Sequence, residues 1–289
     1  MRANFPKISV VTVSFNQAAY LEQTIRSVLD QQYPNLEYII IDGGSNDGSV
    51  DIIKKYAEHL TYWISEKDDG MYHALQKGFE KSTGEIMCWI NSDDKFHQGA
   101  FKNIANIFTA FPEIEWITGM ATIFNETGET VYVKPFRKWS LLDILTVADD
   151  HIQQESTFWK RSLWVRSGSS MNLDYKLAGD FELWMRFFES SELISIRTIL
   201  GGFRIRNTNQ LSFDRAEEYS VEVEKILARS FQKRNPEVRK QINYWRMYKR
   251  KKPSLISIKK YIEKKEIFLN FPAHIEYSPR QNKFIKLLK

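Results

Sequence analysis

Two adjacent carboxylates, Asp93 and Asp94, close the apolar run Ile86-Met87-Cys88-Trp89-Ile90 after the short link Asn91-Ser92. Such a run reads as a strand buried on both faces, and open α/β sheets bind ligands beyond the carboxyl ends of their strands. Neighbouring aspartates repel unless something positive joins them. A hard divalent cation bridging carboxylate to diphosphate oxygens would relieve that repulsion, although a plain turn with a helix cap uses the same residue type. A second acid, Asp42, follows Tyr38-Ile39-Ile40-Ile41 and opens Gly43-Gly44-Ser45-Asn46-Asp47-Gly48-Ser49. Its carboxylate can accept from a base imide or a ribose hydroxyl. Gly43 and Gly44 let the backbone approach a ligand or turn through positive φ; a merely tight strand-to-helix connection would use them as well. The glycines follow the acid with the wrong spacing for GxGxxG, and no GxxxxGK[ST] loop occurs. A third acid, Asp180, heads a segment in which Leu183, Phe187 and Phe188 form an apolar stripe, a place where Asp is ordinarily an N-cap.

The elements that must position these acids follow from periodicity. Ile8 to Val13 is a β-branched core strand, and Ser14-Phe15-Asn16 turns into a helix with Tyr20, Leu21, Ile25, Val28 and Leu29 on one side. Tyr38 to Ile41 is the second strand, followed by a helix presenting Val50, Ile53 and Tyr56. Leu60 to Ile64 is the third strand, Gly70 to Lys81 a helix, and Ile86 to Ile90 the fourth strand. This alternation predicts an α/β fold with a parallel sheet and right-handed crossovers. Glu115 to Ile123 and Thr130 to Val133 flank Asn125-Glu126-Thr127-Gly128-Glu129 and read as a hairpin. Beyond Phe213 the chain reads as helical, with Tyr219, Val223, Ile226 and Leu227 on one face.

The chain has 289 residues, 43% hydrophobic and 27% charged, ordinary values for a soluble globular protein of one large domain or one domain with an appendage. No apolar run reaches the roughly 18 residues of a membrane span. The amino-terminal residues lack a signal-peptide core. The single cysteine, Cys88, lies in an apolar strand and leaves no disulfide framework. A cytoplasmic location is expected. Charge is uneven: residues 229–289 hold 18 Lys and Arg against 4 Asp and Glu, a net +14, and the preceding residues are net −9. A basic tail on a mildly acidic body implies an anionic partner. The inner face of a membrane is favoured over nucleic acid, for which no motif is present, and a solvated helix face is the plainer alternative.

Four stretches in order, Thr12-Val13-Ser14-Phe15-Asn16, Asp42 to Ser49, Ser65-Glu66-Lys67-Asp68-Asp69-Gly70-Met71-Tyr72-His73-Ala74-Leu75-Gln76-Lys77-Gly78 and Gly84 to Asp94, resemble those of family 2 glycosyltransferases of the GT-A fold, an inverting family prominent in bacterial cell-surface polysaccharide synthesis. Lys67 and Gln76 stand where Pro and Asn are common. The resemblance implies a GT-A-type, Rossmann-like, mostly parallel sheet flanked by helices over residues 1–212, with a nucleotide-sugar half (1–110) and an acceptor half (111–212), followed by a helical basic extension (213–289). It implies that Ser14, Phe15 and Asn16 line the nucleotide, with Phe15 near the base. Asp42 and Gly43 would hold the base, Asp68 would lie near base or ribose, and Asp93 near ribose or sugar. Asp94 would ligate Mg²⁺ or Mn²⁺.

The second half carries the implied acceptor side, with Gln154, Glu182 and Trp184 as candidate contacts. In similar enzymes the segment Asp180-Phe181-Glu182-Leu183-Trp184 supplies the base, placing Asp180 as the carboxylate that takes the acceptor hydroxyl's proton. Glu182 would point aside. Phe203-Arg204-Ile205-Arg206 resembles the closing segment in which relatives often place a metal-binding His; Arg206 stands in that slot, cannot ligate a metal, and can clamp phosphate. His59, His73, His97 and His274 lack ligand spacing, whereas His151 is a candidate acceptor contact. Trp159 and Trp184 are candidates for stacking on a sugar. The expected activity is transfer of a sugar from a nucleotide diphosphate donor, UDP-linked, to a hydroxyl of a glycan or polyprenyl-lipid acceptor. The rivals are a sugar-phosphate nucleotidyltransferase, whose basic Gly-rich loop Ser14-Phe15-Asn16-Gln17 does not match, and a non-catalytic nucleotide-sugar- or membrane-binding protein.

Overall fold

The computed structural model describes residues 5–146, 151–206, 210, 214–249 and 268–287. Strands β1 (Ile8–Ser14), β2 (Leu36–Asp42), β3 (Tyr62–Ser65) and β4 (Ile86–Asn91) alternate with helices α1 (Ala18–Leu29), α2 (Ser49–Lys55) and α3 (Met71–Lys81). They are parallel in the order β3-β2-β1-β4. Every residue of β1 is buried, as are six of the seven in β2, which is why these strands read as unbroken apolar runs rather than alternating ones.

The chain then adds β5 (Lys95–Phe96), α4 (Ala100–Ala110), β6 (Trp116–Phe124), β7 (Thr130–Val133), α5 (Leu141–Thr146), β8 (Thr157–Lys160), α6 (Arg161–Arg166), α7 (Gly179–Phe188) and β9 (Ile194–Arg204). Strands β6 and β7 form the expected antiparallel hairpin. Strand β8 inserts antiparallel between β4 and β6, and β9 runs parallel to β6, so that among the described residues one mixed sheet has the order β9-β6-β8-β4-β1-β2-β3, extended beyond β9 by two strands near the end of the chain. The GT-A-type α/β architecture is therefore present.

Helices α8 (Ala216–Gln232) and α9 (Pro236–Lys249) agree with the helical reading of the extension. Its end does not: β10 (His274–Ser278) and β11 (Lys283–Leu287) make a hairpin whose first strand pairs parallel with β9. The alternation of Ile275 and Tyr277 with His274, Glu276 and Ser278 is the strand signal that the basic composition hid. The basic clusters Arg250-Lys251-Lys252, Lys259-Lys260 and Lys264-Lys265 lie outside the described residues, as do Asn207-Thr208-Asn209 and Leu211-Ser212 of the closing segment.

The core beneath β4 and β8 is aromatic. Trp89 and Trp184 stack at 5.5 Å, Trp116 and Trp184 at 5.8 Å, and Phe79 meets Trp89 and Trp159 edge-on at 6.0 and 5.8 Å.

Candidate active site

The strand order reverses between β1 and β4, and the carboxyl ends of β1 to β4 bring Ser14, Asp42, Ser65 and Asn91 to one edge. That switch point is where an open α/β sheet leaves a crevice. The loops there are knitted across strands. Asn16 takes φ +52°. Its amide donates to Ser45 Oγ at 2.8 Å, and its Oδ1 accepts the Asn46 N–H at 3.1 Å. Asp47 accepts the Ala18 N–H at 2.9 Å, so the turn after β2 covers the start of α1.

Phe15, Gly43 and Asp68 meet at this edge. A Cβ on Gly43 would stand 2.9 Å from Asp68 Oδ2 and 3.3 Å from the Phe15 ring, so only glycine leaves the gap open. Phe15 is 61% exposed, an aromatic face offered to solvent on an otherwise buried frame. Asp42 is placed differently from expectation. It is fully buried, and its oxygens accept from Gly44 N, Ser45 N, Ser45 Oγ and Ser65 Oγ at 2.6–3.1 Å. Asp42 thus builds the turn.

At the end of β4 the two aspartates separate. Asp93 pairs with the Arg206 guanidinium at 3.1 Å, and Arg206 also donates to Gln17 Oε1 at 3.1 Å and lies over Tyr20. Burial raises the Asp93 carboxyl while Arg206 and Arg204 oppose the rise. Asp94 is 1% exposed; its Oδ1 accepts the Arg204 N–H at 2.8 Å and its Oδ2 the Asn91 amide at 3.2 Å. It also shares a hydrogen bond with Glu155, a buried carboxyl that sequence reasoning missed. Burial pushes both of these carboxyls upward; the charges of Glu155 and Asp93 add to the rise at Asp94, whereas Asp94 opposes it at Glu155. The Arg206 guanidinium on Asp93 and the Arg204 amide on Asp94 are the positive partners that the fold itself brings to the two carboxylates.

Arg204 is the second residue missed. Fully buried, it donates to Asp93 O at 2.5 Å, Glu126 O at 2.8 Å and Gln23 Oε1 at 3.0 Å. It fastens the Asp93-Asp94 turn to α1 and to the β6–β7 turn. No local pattern marks it, because its partners lie up to 181 residues away.

Asp180 is half-buried in the first turn of α7, where its Oδ1 accepts the Tyr72 hydroxyl at 3.2 Å. Burial raises its carboxyl, and His151 opposes the rise. His151 packs edge-on against Tyr219 at 5.2 Å, so this exposed histidine does face the Asp180 side.

Three expected acceptor contacts are corrected. Trp184 is 1% exposed between Trp89 and Trp116, and Trp159 is fully buried, so neither can stack on a sugar. Gln154 is buried and donates to Trp89 O at 2.6 Å, tying its turn to β4. Glu182 pairs with Arg186 at 2.9 Å, which in turn donates to Ser167 O and Ser170 O; it points aside, as expected.

Residues 9–168 match the family model described as Glycosyl transferase family 2. An uncharacterised glycosyltransferase of Rickettsia typhi is 25% identical over 75% of this chain and 70% of its own length. A Bacillus subtilis protein named as a teichuronic acid biosynthesis glycosyltransferase, TuaG, is 38% identical over 43% of this chain and 46% of its own. Among solved structures, S. aureus TarS in complex with UDP-GlcNAc superposes with a TM-score of 0.66 at 16% identity, covering 83% of this chain and 70% of the TarS chain. A mannosyltransferase from Pyrobaculum calidifontis with GDP-Man and Mn²⁺ gives 0.58 at 17% identity, covering 92% and 81%. By its sequence match and its GT-A architecture, the chain belongs to glycosyl transferase family 2 and is a glycosyltransferase.

Proposed function

We propose that this enzyme transfers a sugar with inversion from a UDP-sugar to a hydroxyl of a glycan or lipid-linked acceptor in bacterial surface polysaccharide assembly. The observation that carries the reading is the convergence of Phe15, Gly43 and Asp68 at the strand ends, with the half-buried carboxyl of Asp180 on α7 joined to the same loop region through Tyr72. The first cluster offers a base a stacking face and hydrogen-bond partners. Asp180 takes the proton from the acceptor hydroxyl as its oxygen attacks C1 and the bond from C1 to the diphosphate breaks. Arg206 lies one guanidinium away from Asp93 and has five N–H donors, so it can hold Asp93 and a phosphate oxygen together. UDP rather than GDP rests on TarS, which was solved with UDP-GlcNAc; the weaker fold match was solved with GDP-Man.

The residues fit a divalent cation in kind but sparsely. Oxygen donors stand at the end of β4, yet no group of three or more His, Cys, Asp or Glu among the described residues is arranged to hold a metal. Magnesium often takes only one or two carboxylates and completes its shell with phosphate and water, a mode open to Asp94. Asp94 would hold the ion, which when bound supplies charge to stabilise the departing diphosphate. No helix among the described residues is long and apolar enough to cross a membrane. The basic extension, with Lys240, Tyr244 and Met247 exposed on α9, suits peripheral contact with an anionic membrane that presents a lipid-carried acceptor.

The test is release of nucleoside diphosphate from UDP-, GDP- and dTDP-sugars with a panel of polyprenyl-linked acceptors, with product anomeric configuration read by NMR. Transfer from a UDP-sugar with inverted configuration is expected, and retained configuration would overturn the mechanism. A protein that binds donor but never releases diphosphate with any acceptor would favour a non-catalytic binding role.

A further inference from the structure

We propose that Tyr72 is a positioning residue for Asp180, and that Glu222 holds Tyr72 and Asp180 together from α8. The inference rests on the reading of Asp180 as the general base. Tyr72 lies in the first turn of α3, two residues after Gly70 of the Asp68-Asp69-Gly70 turn, and is 3% exposed. Its ring packs against the backbone of Gly179, where an added Cβ would stand 2.7 Å from a ring carbon; any other residue there would drive the ring away. Its hydroxyl sits 2.8 Å from Leu177 O and 3.2 Å from Asp180 Oδ1. A tyrosine hydroxyl has one proton, so the two oxygens share it.

The position of that carbonyl is set from elsewhere. The Glu222 carboxylate accepts the N–H groups of Lys176 at 2.9 Å, Leu177 at 2.9 Å and Ala178 at 2.8 Å. Those three bonds fix the turn leading into α7, and charge-assisted bonds of this kind are stronger than neutral ones. One carboxylate of the C-terminal extension therefore orients the acceptor-side base, through a tyrosine carried on the donor-side loop. The donor loop and the base then move as one piece, which keeps Asp180 within reach of the acceptor hydroxyl once donor is bound.

The groups facing Asp180 are Tyr72 from α3, Tyr219 from α8, His151 and Glu155 from the segment before β8, and its own neighbour's amide at Phe181. Of these, Tyr72 is the hydroxyl in hydrogen-bond contact with its carboxylate. A hydrogen bond donated to a carboxylate favours the ionised form, so losing it makes the carboxylate harder to ionise. The base must be ionised to act, and the acid limb of kcat should then move to higher pH.

The experiment measures kcat and donor KM against pH for the full chain and for Tyr72→Phe, Glu222→Gln and Asp180→Asn. Tyr72→Phe is expected to lower kcat about tenfold at neutral pH, the scale of one oriented hydrogen bond. It should shift the acid limb upward and leave donor KM within about twofold, since no donor contact is removed. Glu222→Gln should follow the same pattern, because the amide offers N–H where the turn needs an acceptor. If Asp180→Asn abolishes transfer while Tyr72→Phe keeps both kcat and the acid limb, the inference is wrong. A lower melting temperature with an unmoved acid limb would equally reduce Tyr72 to a packing role. If Asp180→Asn transfers sugar like the wild type, the base assignment itself fails and takes this inference with it.

Discussion

Asp93 and Asp94 look like a pair in the sequence and act separately in the fold. Asp93 meets a guanidinium, and Asp94 meets a backbone amide and the Glu155 carboxyl. Arg206 is thus the residue whose removal should be most informative. Arg206→Ala leaves Asp93 charged without its ion-pair partner in a largely buried site, a loss on the order of 3 kcal/mol where the pair is well desolvated. The expected result is a donor KM raised at least about tenfold, measured by initial rates over a donor series, together with a melting temperature lowered by several degrees. Unaltered donor KM and kcat would remove Arg206 from the phosphate site. The acids, the glycines and Arg206 were legible because their chemistry is local to a motif. Glu155 and Arg204 were not, since a glutamate in Gln-Gln-Glu-Ser and an arginine ending a strand gain meaning only from partners brought by the fold.

At the scale of elements, the parallel strands were legible because burial on both faces leaves continuous β-branched runs. The terminal hairpin was hidden beneath a basic composition. Trp184 was misjudged for a related reason: an aromatic beside a catalytic motif looks like a sugar platform, whereas the helix periodicity turns it into the core. The joint between β1, β2 and the turn before β4 rests on Glu37. It is 3% exposed and accepts hydrogen bonds from Lys7, Ser9, Thr83 and the Gly84 amide. Burial alone would push its carboxyl up, but those donors hold it at about 2, below the ordinary 4.5. Because the folded value is depressed, the stabilisation is fully present above about pH 4.5 and is lost as pH falls toward about 2. Glu37→Gln is expected to cost on the order of 3 kcal/mol at neutral pH and to flatten the acid limb of the stability curve between those values. Chemical denaturation from pH 7 down to 2 measures both, and a wild-type curve for the variant would contradict the assignment.

Across the whole molecule, the proposed donor side is built from the first four strands and the proposed acceptor side from helices that arrive much later in the chain. The C-terminal extension joins them, since α8 grips the turn before α7 and β10 extends the sheet beside β9. A glycosyltransferase built this way should bind its donor without its base and fail only in transfer. The direct measurement is therefore donor binding and turnover side by side, on wild type, Asp180→Asn and Asp94→Ala, with UDP-, GDP- and dTDP-sugars in the presence and absence of Mn²⁺. A site-specific donor at about 100 times its dissociation constant should stabilise the fold by about 2.7 kcal/mol. We expect that shift with UDP-sugars, undiminished in Asp180→Asn, which should nevertheless release no UDP when acceptor is added, and weakened in Asp94→Ala where metal is present. A donor shift lost in Asp180→Asn, or turnover retained by it, would contradict the division of labour on which the account stands.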